Sequence, residues 1–444
     1  MRKFLFCATL LALIFVCSSG LFAYENPIRV RLGYSTAATV NYTVQVDAGQ
    51  YALSNAAGTT LAILSAVTTV AIKYEGNAYT VTCGSNTYTG TGRVTLAAKS
   101  TGSVFSYGEI QYTGDMYCIY NSNNSTNYLI NYLGMEEYLY GVIGREVGYN
   151  APVEALKAQA VASRCLGYHW KNVNATTSYD VTNTTTHQVY GGYSERTKTN
   201  WDKVKSAVDA TANQVMYYTK DDGTTVLVQA YYCSNTGGHT ADVEDVWGSN
   251  PATYPYLRGV VVPTDGLPFQ SYGTMKFPTG YTWTKAYTWA EMKKTVETAS
   301  GKILGVMKSI VIDRGGNTDN RIETIKFIGT ADTATFTRSA ARTAFDFRSQ
   351  LYDVIVTERF SVNSGFGTTT TISPGDFDST IIRTGQYVIF KGRGYGHGVG
   401  MSQWSACVLA GQGYDYKYIL NYFFNQNLTN SKLTFAQYSG MTKQ

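Results

Sequence analysis

The chain has 444 residues, 44% of them hydrophobic and 15% charged, so it can bury a large core in about three domains. It carries 36 Lys and Arg residues against 31 Asp and Glu residues, a formal net charge of +5, without a dense basic cluster. This balance argues against nucleic acid as a partner, because nucleic-acid-binding proteins carry a concentrated basic surface.

Residues 1–23 have the pattern of a secretory signal. Arg2 and Lys3 precede an apolar run over residues 4–17, and cleavage is expected near Ala23. The run is shorter than the roughly 20 residues of a membrane-spanning helix. We therefore expect a secreted or cell-wall location. Retention of the segment as an N-terminal membrane anchor is the alternative.

The number of cysteines outside the predicted signal is odd, so they cannot all form intramolecular disulfides. Two of the seven cysteines fall in the signal, and the other five are Cys83, Cys118, Cys165, Cys233 and Cys407. An odd number allows at most two disulfides and leaves a thiol. Cys83 and Cys118 are the candidate pair, because both lie in the N-terminal region.

Residues 24–132 are predicted to be rich in β-strands. Short alternating runs, such as residues 28–32, 42–46, 70–74 and 79–83, are separated by Gly, Asn, Ser and Asp. The region contains no cluster of carboxylates, histidines or cysteines. We expect it to have a structural or substrate-positioning role.

Helices follow at 134–144, 152–170 and about 200–212, as indicated by apolar residues at helical spacing. Pro152 suits the first turn of the second helix, where its missing N–H costs nothing. Glu146 lies just before that helix in a Gly-rich turn, which makes it a candidate for acid/base chemistry in a cleft.

The second helix carries two cations on an otherwise apolar face. Lys157 and Arg164 are seven residues apart. A buried arginine needs a partner, so each cation either contributes to the electrostatics of a cleft or pairs with an acid on a neighbouring helix. For Arg164 we favour the structural ion pair.

The rest of the chain mixes strands and helices. A strand is predicted at 224–232, a β-rich portion at 265–390 with a helix at 289–298, and two helices at 402–410 and 415–424. Residues 431–444 are predicted to be a tail. The expected fold class is therefore α+β, with a β-rich N-terminal region and a helical core combined with mixed β segments.

Several ordered blocks resemble the SpoIID/LytB family. Residues 135–170 are similar to its pattern EEYL-x-GV-x3-EM-x5-P-x-EALKAQAVA-x-R, although Val147 and Gly148 stand where the family usually has Met-Pro. The later blocks are VTNTTTHQVYGG (181–192), VQAYYCSNTGGHTADVEDVWG (228–248), YPYLRGV (254–260) and GRGYGHGVGMSQWSA (392–406). The resemblance implies one catalytic domain over 133–430.

The resemblance implies a peptidoglycan lytic transglycosylase with Glu146 as its catalytic residue. Such an enzyme works with one carboxylate, because the 6-hydroxyl of the muramic acid attacks the anomeric carbon. Hydrolysis would need a second carboxylate, and Glu244 and Asp245 are then the candidates. Members of the LytB branch are instead described as amidase enhancers. A non-catalytic wall-binding protein that stimulates an N-acetylmuramoyl-L-alanine amidase is therefore the rival hypothesis.

The resemblance also suggests that the Gly-rich segment around His397, with Ser402 and Gln403, lines the cleft for peptidoglycan glycan strands. The full set of predicted substrate-binding residues is His397, Ser402, Gln403, Lys157, Arg164, His187 and Tyr190.

No metal and no cofactor are expected. Some SpoIID proteins hold zinc with a histidine and two cysteines in the block that here retains His187 without cysteine. A combination of His187, His239 and Cys233 is the minor alternative. A Cys165–His169 hydrolase pair is another. Both are less favoured than histidines that simply satisfy hydrogen bonds and a cysteine that packs as a small hydrophobe.

Overall fold

A computed structural model describes residues 24–271, 273–278, 280–317, 319–357, 387–425 and 432–439. The predicted signal, residues 1–23, lies outside these ranges, as do residue 431 and residues 440–444 of the predicted tail. The chain divides into two compact units, one ending at Gly134 and one beginning at Met135. Both helices and many strands are present, which confirms the α+β class.

The first unit consists of twelve strands in the described residues. They are β1 (Ile28–Ser35), β2 (Val40–Ala48), β3 (Gln50–Ser54), β4 (Thr60–Ser65), β5 (Thr68–Glu75), β6 (Ala78–Cys83), β7 (Asn86–Gly90), β8 (Arg93–Ala98), β9 (Val104–Tyr107), β10 (Ile110–Thr113), β11 (Asp115–Asn121) and β12 (Thr126–Leu133). One sheet has the order β1-β12-β11-β8-β3-β4 and the other β10-β9-β2-β5-β6-β7. Within each sheet these neighbours pair antiparallel.

Alternating sequence explains these strands. In β2, Val40, Tyr42, Val44 and Val46 are buried while the residues between them are exposed. Side chains alternate between the two faces of a strand, so one face of β2 can be apolar. Cys83 and Cys118 lie on strands of different sheets and both are free thiols, so this candidate pair does not form a disulfide in the structure.

The second unit contains nine helices among the described residues. They are α1 (Met135–Tyr140), α2 (Ile143–Val147), α3 (Val153–Val173), α4 (Trp201–Ala210), α5 (Val243–Trp247), α6 (Trp289–Ser300), α7 (Ser339–Phe345), α8 (Gln403–Gly411) and α9 (Tyr416–Phe424). The helix predicted at 134–144 is therefore two short helices. Helix α3 is the central element, because α1, α2, α4, α8 and α9 all pack against it.

The strands of the second unit are mostly shorter, and all but the first of them form several small sheets. They are β13 (Val181–Thr182), β14 (Gln214–Thr219), β15 (Thr225–Leu227), β16 (Tyr232–Cys233), β17 (Phe269–Ser271), β18 (Thr274–Lys276), β19 (Thr282–Thr288), β20 (Met307–Asp313), β21 (Thr324–Gly329), β22 (Thr333–Thr337), β23 (Tyr352–Thr357), β24 (Tyr387–Arg393), β25 (Met401–Ser402) and β26 (Leu433–Gln437). The predicted strand 224–232 is thus only partly a strand. Part of the predicted tail, β26, pairs with β14.

Two sheets and two helices form the β-rich portion of this unit. The sheets have the orders β19-β24-β23 and β20-β21-β22, and α6 and α7 pack with them. Their shared core is aromatic and aliphatic, with Phe327, Phe345, Phe347 and Phe390 among its buried residues. In the described part of the chain, no helix combines the length and the apolar character needed to cross a membrane.

Candidate active site

Glu146 lies on α2, a short helix set between α1 and α3. The turn after it depends on two glycines. Gly148 has φ 89°, in the left-handed region that favours glycine, and its N–H donates to the carbonyl of Gly144 at 3.1 Å. A Cβ on Gly144 would lie 2.2 Å from the ring of Tyr149. These constraints let α2 end abruptly and leave Glu146 at the edge of the helical core.

Three donors meet the Glu146 carboxylate. The backbone N–H of Val189 donates to Oε1 at 2.7 Å. The side chains of Gln403 and Tyr232 also hydrogen-bond to the carboxylate. Burial raises the pKa of Glu146 above its ordinary value, while the three hydrogen bonds act in the opposite direction. A carboxyl group with a raised pKa stays protonated at higher pH, as a general acid requires.

Tyr232 is held by partners that orient its hydroxyl. Gln188 Nε2 donates to this oxygen at 3.0 Å, and Tyr138 donates to Gln188 Oε1 at 3.2 Å. Burial raises the pKa of Tyr232, so its proton is retained. Because the hydroxyl oxygen already accepts from Gln188, its hydrogen is available for Glu146.

Gln403 is tied to α3 through a second chain of amides. Its Nε2 donates to Gln159 Oε1 at 3.3 Å, and Gln159 Nε2 donates to Ser163 Oγ at 3.0 Å. Gln159 and Ser163 are fully buried, one helical turn apart on α3. We call the group that converges on the carboxylate the Glu146 network; its side chains are Glu146, Tyr138, Gln159, Ser163, Gln188, Tyr232 and Gln403.

His397 is half-buried beside this network and does not bond Glu146 itself. Its Nδ1 accepts from the backbone N–H of Val399 at 3.0 Å, and the ring donates to the backbone of Tyr232. The Trp247 ring lies 5.1 Å away. Burial lowers the pKa of His397 to about 4, so the ring is neutral at physiological pH. Both ring nitrogens are therefore used to hold the Gly-rich segment against Tyr232.

Ser402 has a structural position. It is fully buried, donates from Oγ to Asp265 Oδ1 at 2.5 Å and accepts from the backbone N–H of Ser405 at 3.2 Å, which caps α8. Asp265 also accepts from the backbone N–H groups of Thr236 and Gly238. A direct contact between Ser402 and substrate does not fit this burial. The residue instead fixes the start of the helix that carries Gln403.

Arg164 also has a structural partner. Its guanidinium is fully buried and forms a bidentate pair with Glu136, at 2.8 and 2.5 Å, and it donates to the carbonyl of Gln214 at 3.0 Å. The favoured structural interpretation agrees with this geometry. Because the side chain is fully buried, this geometry lends no support to the inclusion of Arg164 among the substrate-binding residues.

Lys157, His187 and Tyr190 also lie outside the Glu146 network. Lys157 pairs with Glu154 at 2.7 Å in an (i, i+3) surface contact. The Nδ1 of His187 lies 3.1 Å from the hydroxyl of Thr182. Tyr190 is 2% exposed, and its ring packs 5.1 Å from that of Tyr138. Tyr190 therefore contributes to the network only by packing against Tyr138.

The alternative carboxylates lie on α5. Glu244 Oε1 accepts from Arg258 at 2.6 Å. Burial raises the pKa of Asp245 to about 6, and the neighbouring Asp242, Asp319 and Glu244 add to the shift. Neither carboxyl bonds a member of the Glu146 network in the residues that the structure describes. The raised pKa nevertheless makes the Asp245 carboxyl suited to acid/base chemistry.

The remaining alternatives do not assemble. Burial raises the pKa of the Cys165 thiol to about 12, and its sulfur accepts from the backbone N–H of Met216 at 3.2 Å, so it behaves as a buried hydrophobe. Within the described ranges, no three His, Cys, Asp or Glu side chains are grouped to hold a metal. The combination of His187, His239 and Cys233 is thus not a site in this structure.

Sequence reasoning found Glu146 and Gln403 but missed the rest of the network. Tyr232 lies in a predicted strand and has no feature that distinguishes it from other tyrosines. Gln188 follows His187 in a block where only the histidine was singled out. The missed signal lies on α3. Gln159 and Ser163 are polar residues at (i, i+4) on a helix that is otherwise apolar, and buried polar groups need partners.

The family described as SpoIID, Stage II sporulation protein, matches residues 123–218. An uncharacterized protein of Brachyspira hyodysenteriae is 31% identical over 72% of this chain and 73% of its own length. The amidase enhancer of Bacillus subtilis is 30% identical over 64% of this chain but only 39% of its own length. The stage II sporulation protein D of the same organism is 26% identical over 68% of this chain and 75% of its own.

Proposed function

Because this chain belongs to the SpoIID/LytB family, whose relatives are named for sporulation and amidase enhancement, its role relates to sporulation or the cell wall, and we propose that it is an exported peptidoglycan lytic transglycosylase. One observation carries the proposal. A half-buried glutamate with a raised pKa stands among oriented donors at the position of the family's catalytic residue.

Glu146 performs both proton transfers in this mechanism. Protonated Glu146 gives its proton to the glycosidic oxygen as the bond from that oxygen to the anomeric carbon breaks. The carboxylate then takes the proton of the muramic acid 6-hydroxyl, whose oxygen forms the new bond to the same carbon. The product is a 1,6-anhydro end, and no water is consumed.

The donors around Glu146 serve the second half of this cycle. Val189, Tyr232 and Gln403 hydrogen-bond to the carboxylate and stabilise its charge once the proton has left. Burial supports the first half, because it favours the protonated form. The site thus balances two opposing influences on one carboxyl group.

The proposal is tested by incubating the purified protein with peptidoglycan glycan strands and analysing the ends by mass spectrometry. We expect 1,6-anhydro-muramic acid ends. Reducing ends without the anhydro form would mean hydrolysis, with Asp245 as the next residue to replace. Intact strands would rule out the enzyme.

The amidase enhancer gives a second candidate function. Its identity to this chain, 30%, is higher than that of the stage II sporulation protein D, 26%. In this case the protein would bind the wall and stimulate an amidase without cutting glycans. Stimulation of a wall amidase that is unchanged in a Glu146→Gln protein would support this function.

A further inference from the structure

A polar cavity lies in the β-rich portion of the second unit, outside the Glu146 network. Its volume is about 470 Å³, within the range of small-ligand sites. The lining residues are Thr282, Trp283, Thr284, Arg314, Asn320, Leu351, Tyr352, Asp353, Lys391, Gly392 and Arg393. Three of them are cations and one is an anion, so the cavity is net positive.

The sheet explains how these groups come together. In the antiparallel register, Thr282 lies opposite Arg393 and Thr284 opposite Lys391. All four are exposed, while Trp283 and Gly392 between them are buried. Opposite residues share a face, so two hydroxyls and two cations stand together, with the cations about 7 Å apart along β24.

Within the part of the chain that the structure describes, the two cations on β24 have no partner of their own. The one acidic residue of the lining, Asp353, accepts from Arg314 at 2.6 Å, and Arg314 also donates to the carbonyl of Tyr352 at 3.1 Å. Among the described residues, no side chain or backbone group forms an ion pair or hydrogen bond with the side chains of Lys391 or Arg393. Donors of this kind, beside hydroxyls in a cavity, suit an anionic ligand.

The cavity is connected to the candidate active site by a very short segment. Arg393 ends β24 and is followed by the Gly-rich segment, in which the backbones of Tyr395 and Asn235 bond each other at 3.1 and 2.7 Å. His397, four residues after Arg393, bonds the backbone of Tyr232. Four residues span at most about 14 Å. The cavity therefore adjoins the segment that is held against Tyr232, the residue that hydrogen-bonds to Glu146.

We propose that Lys391 and Arg393 form a carboxylate-binding subsite for the wall polymer. The identity of the polymer rests on the proposed function. Its carboxylates have two sources: the lactyl group of muramic acid in strands without peptides, and the side-chain and terminal carboxylates of stem peptides. The shared chemistry is a carboxylate held by an ammonium and a guanidinium, with hydroxyls from Thr282 and Thr284 completing the cavity.

The test measures equilibrium binding to the full chain carrying Glu146→Gln, which prevents turnover. Three ligands of equal length are compared: glycan strands without peptides, strands with stem peptides, and chitooligosaccharides, which lack carboxylates. The double variant Lys391→Ala/Arg393→Ala is expected to weaken binding of at least one carboxylate-bearing ligand about threefold to tenfold, and chitooligosaccharide binding not at all. The larger loss identifies the source of the carboxylate.

Lys326→Ala is the matched control, because Lys326 is exposed on β21 of the neighbouring sheet and does not line the cavity. The control should bind like its parent. Unchanged binding of both carboxylate-bearing ligands by the double variant, or an equal loss for the chitooligosaccharides, would overturn the subsite. If the double variant loses binding as expected while the protein with Glu146 cuts no glycan, the proposed function fails and the subsite stands.

Discussion

The helices around Glu146 and the β-rich portion of the same unit differ in what fills their interiors. Buried Gln159, Ser163 and Gln188 lie among the helices, and each has a hydrogen-bond partner. The core of the β-rich portion is instead a cluster of aromatic rings, such as Phe347 and Phe390 with centroids 4.5 Å apart. The first interior orients a carboxylate, whereas the second holds a scaffold together.

This difference has an energetic consequence. A buried polar network costs stability unless every member is paired, and it constrains geometry when all are. An aromatic cluster gains its stability from the burial and mutual packing of its rings. We therefore expect mutations in the first region to alter activity and mutations in the second to alter stability.

The largest effect is expected for Glu146→Gln. Glutamine has nearly the same volume and can still accept from Val189, but it cannot donate a proton to the glycosidic oxygen or take one back. Glycan cleavage should fall by about 10²–10⁴-fold, as measured by release of anhydro ends. The melting temperature should not decrease, because Gln avoids the cost of ionising a buried carboxyl above pH 4.5. Full activity in a folded variant would place the acid elsewhere.

Phe347→Ala should have the opposite effect, lowering stability while leaving glycan cleavage unchanged. Phe347 is 3% exposed and contacts the rings of Trp283, Tyr352 and Phe390. Its truncation should lower the free energy of unfolding by about 3–5 kcal/mol, measured by urea denaturation. Cleavage per folded molecule should stay near that of the parent protein. A specific loss of turnover without loss of stability would break the comparison.

Tyr232→Phe sharpens the comparison within the site. The variant loses a hydrogen bond to the Glu146 carboxylate, so turnover should fall about tenfold and the pKa of Glu146 should rise. The basic limb of the pH–rate profile should move to higher pH. Tyr231→Phe is the matched control, because the Tyr231 hydroxyl bonds Gln229 at 3.3 Å instead. An unshifted pH profile would mean that Tyr232 does not act on Glu146.

A smaller effect concerns acid stability. Burial lowers the pKa of His397 and of His169 to about 4, and the His187 charge adds to the shift at His169. In the unfolded chain both protonate near pH 6.5, so the unfolded state binds more protons below that pH. The urea midpoint should therefore fall as pH decreases from about 6.5 to 4. His169→Gln should flatten part of this dependence; an unaltered slope would contradict the assignment.

Much of the fold could be predicted from the sequence, because it depends on local periodicity. Apolar spacing located α3, α4, α6, α8 and α9 to within a few residues, and alternation located β1, β2, β5 and β6 of the first unit. The predicted helix 134–144 was wrong as one element. At the break, Gly141 lies against the ring of Tyr190, a long-range contact that no local pattern reveals. The strand in the predicted tail depends on β14, more than two hundred residues earlier.

The residues of the candidate site also fall into those that the sequence identified and those that only the tertiary structure revealed. The sequence by itself identified Glu146 and Gln403 as candidates, since both stand in recognisable blocks. Only the tertiary structure decided their partners. Tyr232 and Gln188 lie beside Glu146. Arg164 is buried in a pair with Glu136, and Ser402 in a hydrogen bond with Asp265. The physical reason is that hydrogen-bond partners and burial arise from chain segments far apart in sequence, which meet only when α3 and its neighbours pack.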